Sequence, residues 1–99
     1  MWYMIYSQDH EGSLPSRLQA REQHLARLHQ LQDQGRLMVA GPLPAIDSEN
    51  PGDAGFSGSL LIVEFDSLQQ AEQWASEDPY WAAGVYREST VKPFKRVLP

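Results

Sequence analysis

Strand-like and helix-like segments follow one another as strand, helix, strand, strand, helix, strand in a chain of 99 residues. Among the strand segments only the second and fourth contain proline, and the first and third are apolar on both faces. Together these predict an α+β fold, a ferredoxin-like βαββαβ sandwich with one antiparallel sheet and two main helices on one face. Proline has no N–H to give a ladder, so Pro42 and Pro93 mark the second and fourth strands as edges and leave the first and third central. The length suits one modest core, and a single domain over residues 1–99 is expected.

Trp2 to Ser7 is rich in β-forming aromatic and branched types. Tyr3 and Ile5 face one way, and Trp2, Met4 and Tyr6 the other. Asp9 to Pro15 is polar and reads as a loop. The first helix is expected from about Pro15, with Ser13 as cap, to Gln34, where Gly35 supplies the stop. On its wheel Leu18, Leu25, Leu28 and Leu31 form one arc, and Arg21 and His24 fall inside that arc. Two polar side chains on an apolar face need partners or access to water. Arg36 to Leu43 is the second strand. Pro44 to Ser57 is long for a loop in so small a domain, which points to function or mobility. Ser59 to Phe65 is the third strand, Asp66 or Ser67 caps a second helix carrying Leu68, Ala71, Trp74 and Ala75, and Val85 to Val97 is the last strand.

Between them lies Glu77-Asp78-Pro79-Tyr80-Trp81-Ala82-Ala83-Gly84. Asp before Pro is a helix start: the carboxylate accepts from an orphan backbone N–H and proline at the first position loses no bond.

Composition excludes several classes. A net charge of −5 with only eight Lys and Arg argues against nucleic-acid binding. The basic cluster Lys92, Lys95 and Arg96 reads as a solvated edge. With no cysteine there is no disulfide, thiol nucleophile or thiolate metal site. The opening Met-Trp-Tyr-Met-Ile-Tyr is too short for a signal or a membrane span, so a cytoplasmic protein is expected. Gly55-Phe56-Ser57-Gly58-Ser59 does not match the Gly-x-Ser-x-Gly elbow, because its second glycine follows the serine directly. His24 and His29 are five apart, whereas a helical two-histidine metal site needs four. Asp9-His10-Glu11 reads as a solvated run, and neither a metal nor a cofactor is expected.

His24 with Asp78 is the remaining constellation. Imidazole gives and takes protons near neutral pH, and a carboxylate on one ring nitrogen fixes the tautomer while the other nitrogen meets substrate. On residues alone the plainer account is a core histidine and a helix cap. Arg21 reads either as a snorkelling surface cation or as a clamp for an anionic substrate. Tyr80 is core or cleft wall in either case.

Across its length the chain resembles the YciI (YCII-related) family of small bacterial proteins. The resemblance rests on Tyr3 and Tyr6, Arg21-x-x-His24-Leu25, Gly35-Arg36-Leu37, Ala40-Gly41-Pro42, Pro51-Gly52, Gly55-Phe56, Asp78-Pro79-Tyr80, Ala83-Gly84-Val85 and Val91-Lys92-Pro93-Phe94. It implies a dimeric α+β barrel similar to muconolactone isomerase and an active site whose histidine and aspartate fall on His24 and Asp78. One branch of the wider family dehydrochlorinates a chlorinated hydroxyquinol. The expectation is therefore a cofactor-independent lyase or isomerase acting on a small, anionic, hydroxylated ring, with Arg21 and Tyr80 binding substrate. The doubly apolar central strands further predict a homodimer packed sheet to sheet, since a bare face would exceed the patch that monomers tolerate. A metabolite-binding or regulatory homodimer without turnover is the competing expectation.

Overall fold

The computed structural model describes residues 1–99. Its elements are β1 (Trp2–Asp9), α1 (Leu14–Asp33), β2 (Leu37–Pro44), a 3-10 turn (Gly52–Ala54), β3 (Phe56–Glu64), α2 (Leu68–Ser76), α3 (Pro79–Ala82) and β4 (Tyr86–Phe94). The strands form one sheet in the order β2-β3-β1-β4, and every neighbouring pair is antiparallel. The sheet is the ferredoxin-like one, with the proline-bearing strands outside. Pro93 lies opposite Tyr3 on β4, which pairs with β1 alone, so its missing N–H breaks no second ladder.

Alternation along the central strands separates two faces. Tyr3, Ile5, Leu61 and Val63 are buried with Leu28 and Leu31 of α1 and with Ala71 and Ala75 of α2, which forms the main core. On the opposite face Trp2, Met4, Tyr6, Leu60 and Ile62 are only half-buried, and Val39 on β2 is 49% exposed. A smaller cluster of Ala20, Tyr80, Val85 and Tyr86 joins α1 to α3 and β4.

Several boundaries differ from the expectation, each for a local reason. β1 runs on to Asp9, whose backbone pairs opposite Tyr86 across a register shift after Gln8. α1 starts at Leu14, one residue before Pro15, and Ser13 occupies the N-cap position without a side-chain capping bond. The Ser13 hydroxyl instead donates to Asp9 Oδ2 at 3.3 Å. At the other end Gly35 adopts φ 71°, its N–H bonding Gln32 O, while Arg36 N–H reaches Leu31 O. That is the doubled closure that satisfies the last carbonyls of a helix.

The wheel also turns slightly. Leu18 is 64% exposed, and the buried stripe of α1 is Arg17, Ala20, His24, Leu28 and Leu31. Arg17 displaces Leu18 from the inner face because it is held there by an ion pair, described below. Of the two possible caps for α2, Ser67 serves: its Oγ accepts from Gln70 N–H at 3.2 Å. The long connection is shorter than expected, since Pro44 ends β2 and Phe56 opens β3. Its base is closed by Ala45 N–H on Gly55 O at 2.9 Å. β4 ends at Phe94, leaving Lys95 to Pro99 outside the sheet.

Candidate active site

The cleft is built from α1, α3 and the inner faces of β2 and β3. Asp78 caps α3 with extended backbone, its Oδ1 accepting Tyr80 N–H at 2.9 Å while Pro79 takes the first helical position. A capping carboxylate so held has its second oxygen aimed outward, and His24 meets it. Nδ1 of His24 lies 2.7 Å from Asp78 Oδ2 and 3.0 Å from Oδ1. Both residues are buried, at 6% and 4% exposure. A carboxylate can only accept, so Nδ1 carries the proton and the lone pair of the neutral ring lies on Nε2. Nε2 has no partner within the chain, and it is not among the sealed polar atoms, of which Arg27 Nη1 is the single unpaired case. It therefore opens onto the cleft.

Tyr80 supports the histidine from the side, its ring stacked on the imidazole at 4.1 Å with 9° between planes. Tyr86 meets Tyr80 edge-on at 5.3 Å. Burial pushes the Tyr80 phenol above its ordinary pKa, the charge of Asp78 adds to this, and Arg17 and Arg21 oppose it. Burial likewise raises Tyr86, again assisted by Asp78 and opposed by a hydrogen bond with Ser59. Both phenols stay protonated at neutral pH and do not act as bases there.

The sequence-predicted residues fall unequally. His24, Asp78 and Tyr80 converge. Arg21 reaches the wall of the same cavity but is exposed and makes no hydrogen bond. The arginine inside the cleft is Arg17, one turn earlier and only 5% exposed. Its Nε donates to Asp9 Oδ2 at 2.6 Å and its Nη2 to Asp9 Oδ1 at 3.2 Å, Gly58 O at 2.8 Å and Ser59 Oγ at 2.7 Å. Sequence reasoning missed Arg17, Asp9 and Ser59. The available signal was the seven-residue interval from Arg17 to His24, two helical turns that place both on one stripe.

Arg17, Arg21, His24, Ser59, Tyr80 and Pro42 help enclose a cavity of about 210 Å3. Drug-sized sites run from about 300 Å3 upward, so this space suits a ligand of one ring. A larger, shallower hollow of about 1080 Å3 lies between the end of β1 and the 52–54 turn. Its walls include Asp9, His10 and Glu11, but Asp9 turns to Arg17 and no three His, Asp or Glu side chains gather there as cation ligands. The smaller cavity differs from it in being lined by a buried histidine that is already paired with a carboxylate through Nδ1.

A ferredoxin-like α+β fold with a buried histidine–aspartate pair in a one-ring cleft defines the class. Within it the chain belongs to the YCII-related family, whose domain model matches residues 1–95. It is 59% identical over 98 residues to Protein YciI of Escherichia coli O6:H1, covering 99% of this chain and all of that one. A Haemophilus influenzae protein is 58% identical over the same coverage. Among solved structures it is similar to 5-chloro-2-hydroxyhydroquinone dehydrochlorinase (TftG) from Burkholderia phenoliruptrix AC1100, in complex with 2,5-dihydroxybenzoquinone. There the TM-score is 0.85 at 30% identity, over 98% of this chain and 96% of that one. Protein Atu4242 of Agrobacterium tumefaciens, at 19% identity and TM-score 0.52 over 98% and 94%, shares the fold. No helix of the chain is long and apolar enough to cross a membrane.

Proposed function

We propose that the chain is a cofactor-independent acid/base enzyme of the lyase or isomerase type, acting on a small, hydroxylated, anionic ring. The single observation that carries this is His24, bonded through Nδ1 to Asp78 at 2.7 Å with Nε2 open to a cavity of about 210 Å3. In this reading Nε2 accepts a proton from the substrate and returns it at a second atom. Asp78 fixes the tautomer and stabilises the imidazolium formed in between. Tyr80 packs the imidazole in place and walls the ring site, and Arg21 at the mouth draws in the anion. The likeness to a dehydrochlorinase bound to 2,5-dihydroxybenzoquinone supports an oxygenated ring as substrate class. The half-buried apolar face of Trp2, Met4, Tyr6, Leu60 and Ile62 supports a homodimer packed sheet to sheet, each subunit one domain over residues 1–99 and working in the cytoplasm.

The test is a panel of single-ring phenols, quinones and enolic acids, read by thermal shift and by product formation. Wild type should convert at least one compound, and His24→Asn, which retains a donor for Asp78, should fold and lose about 100- to 10,000-fold in rate. Stabilisation by ligands with no product from any of them would make the protein a metabolite-binding dimer. Undiminished turnover in His24→Asn would contradict the assignment of the base.

A further inference from the structure

We propose that Arg17 is the second half of the binding site, its Nη1 donating to an ionised enolic or phenolic oxygen of a single-ring ligand whose reacting atom lies at His24 Nε2. The inference rests on the reading that the cleft takes an oxygenated ring, and it adds the group that would orient that ring.

Three observations carry it. Arg17 makes four hydrogen bonds through Nε and Nη2, and none through Nη1. Nη1 is not a sealed atom, since Arg27 Nη1 is the only buried side-chain donor without a partner. The Arg17 side chain is more than nine-tenths buried and lines the cavity that holds His24. A purely structural tie from α1 to the ends of β1 and β3 is complete without Nη1, which leaves that nitrogen, shared at most with the Tyr80 phenol whose pKa Arg17 lowers by hydrogen bonding, for whatever fills the cavity.

Geometry adds the second anchor point. Arg17 Cζ lies 4.9 Å from the centre of the Tyr80 ring against which His24 stacks at 4.1 Å. Arg17 and His24 therefore both pack on the Tyr80 ring, and both line the one cavity, so a ligand held there has the imidazole and the guanidinium among its walls. Arg17 is also already immobile, so binding costs it little rotamer entropy, whereas the exposed Arg21 must be ordered by the ligand. Asp9 balances the Arg17 charge, so what the cleft offers is a directed donor in a dry setting. Such a donor discriminates by hydrogen bonding and rejects a ring that lacks the oxygen.

The experiment compares 2,5-dihydroxybenzoquinone, ionised at neutral pH, with 2,5-dimethylbenzoquinone, which keeps the ring and replaces the two hydroxyls by methyls. Affinities are measured by NMR titration of wild type, Arg21→Gln and the double variant Asp9→Asn/Arg17→Gln, which removes both buried charges together. Wild type should prefer the dihydroxy compound by about tenfold or more. The double variant should lose that preference while still binding the dimethyl compound, and Arg21→Gln, at the mouth, should reduce it by a smaller factor. In the unmodified protein the guanidinium nitrogen signals of Arg17 should shift on titration and those of Arg36 should not. That measurement stands even if the double variant fails to fold. No preference in wild type, an unchanged preference in a folded double variant, or unmoved Arg17 signals would overturn the proposal. A His24→Asn protein that keeps the preference supports it regardless of turnover, while turnover in that protein overturns the acid/base reading alone.

Discussion

Asp78 serves two partners at once, capping α3 through Tyr80 N–H and holding His24 Nδ1. The two roles are separable by substitution. Asp78→Asn keeps a capping oxygen, but an amide that turns this oxygen to Tyr80 N–H presents N–H groups to the imidazole and forces its proton onto Nε2. Folding stability should change little, while turnover falls about 100- to 10,000-fold; Asp78→Ala should add a loss of about 1 kcal/mol from the cap. Chemical denaturation and rate measurements on the pair check this, and an active Asp78→Asn would break the link between cap and base. Arg17 behaves differently. Arg17→Gln alone strands the buried Asp9 carboxylate and should cost about 3–5 kcal/mol, part of which returns when Asp9→Asn is added. Asp78 was legible in the sequence because Asp-Pro is a local signal. Arg17 was not, because its partner lies across a turn and its neighbour Leu18 offers the wheel a more conventional inward residue.

α1 explains why helical periodicity found the helix and misjudged its face. Four leucines weigh heavily in any wheel, yet the inner stripe includes an arginine and a histidine whose partners come from β1, β3 and α3. Tertiary pairing sets the rotation there. The consequence is measurable by thermal denaturation: Leu18→Ala should fall within about 0.5 kcal/mol of wild type, and Leu28→Ala should lose about 2–5 kcal/mol. Near-equal losses would mean that the rotation is wrong. β3 gives a second case. Gly58 has no room for a side chain, because a Cβ there would run into the backbone carbonyl of Ser7 on β1. Its own carbonyl accepts from Arg17, so strand pairing and cleft share this residue. Gly58→Ala should cost about 1–3 kcal/mol by forcing the strands apart and should weaken ligand binding with it. An isolated glycine between two serines gave the sequence no means to show that contact.

The sheet order was legible because proline and doubly apolar strands act at the scale of the whole molecule, and no local detail can reverse them. The same scale carries two predictions. Placing charge in the middle of the half-buried face, as Ile62→Glu, should convert a homodimer to a monomer in sedimentation; a wild type that is already monomeric would exclude sheet-to-sheet pairing. The second concerns pH. Tyr80 and Tyr86 have raised pKa values in the folded chain, so above about pH 10 the unfolded chain ionises phenols that the folded chain keeps protonated. The stabilisation is complete below about pH 10 and declines as pH climbs past it. Denaturation midpoints across that range, with tyrosinate absorbance recorded alongside, should show the decline, and Tyr86→Phe should flatten it. The cleft itself was legible only as a pair of residues, since its depth, its second arginine and its free nitrogen come from four elements meeting.

Proton transfer at His24 Nε2 can be watched without following a net reaction. Oxygenated single-ring compounds incubated with the protein in deuterated water should exchange an acidic ring C–H for deuterium, read by NMR as loss of that proton's signal. Wild type should accelerate exchange in at least one of them, and His24→Asn and Asp78→Asn should each slow it by about 100-fold or more. Exchange that proceeds equally in His24→Asn, or that wild type does not accelerate in any compound the cleft binds, would contradict the assignment of this histidine as an acid/base group.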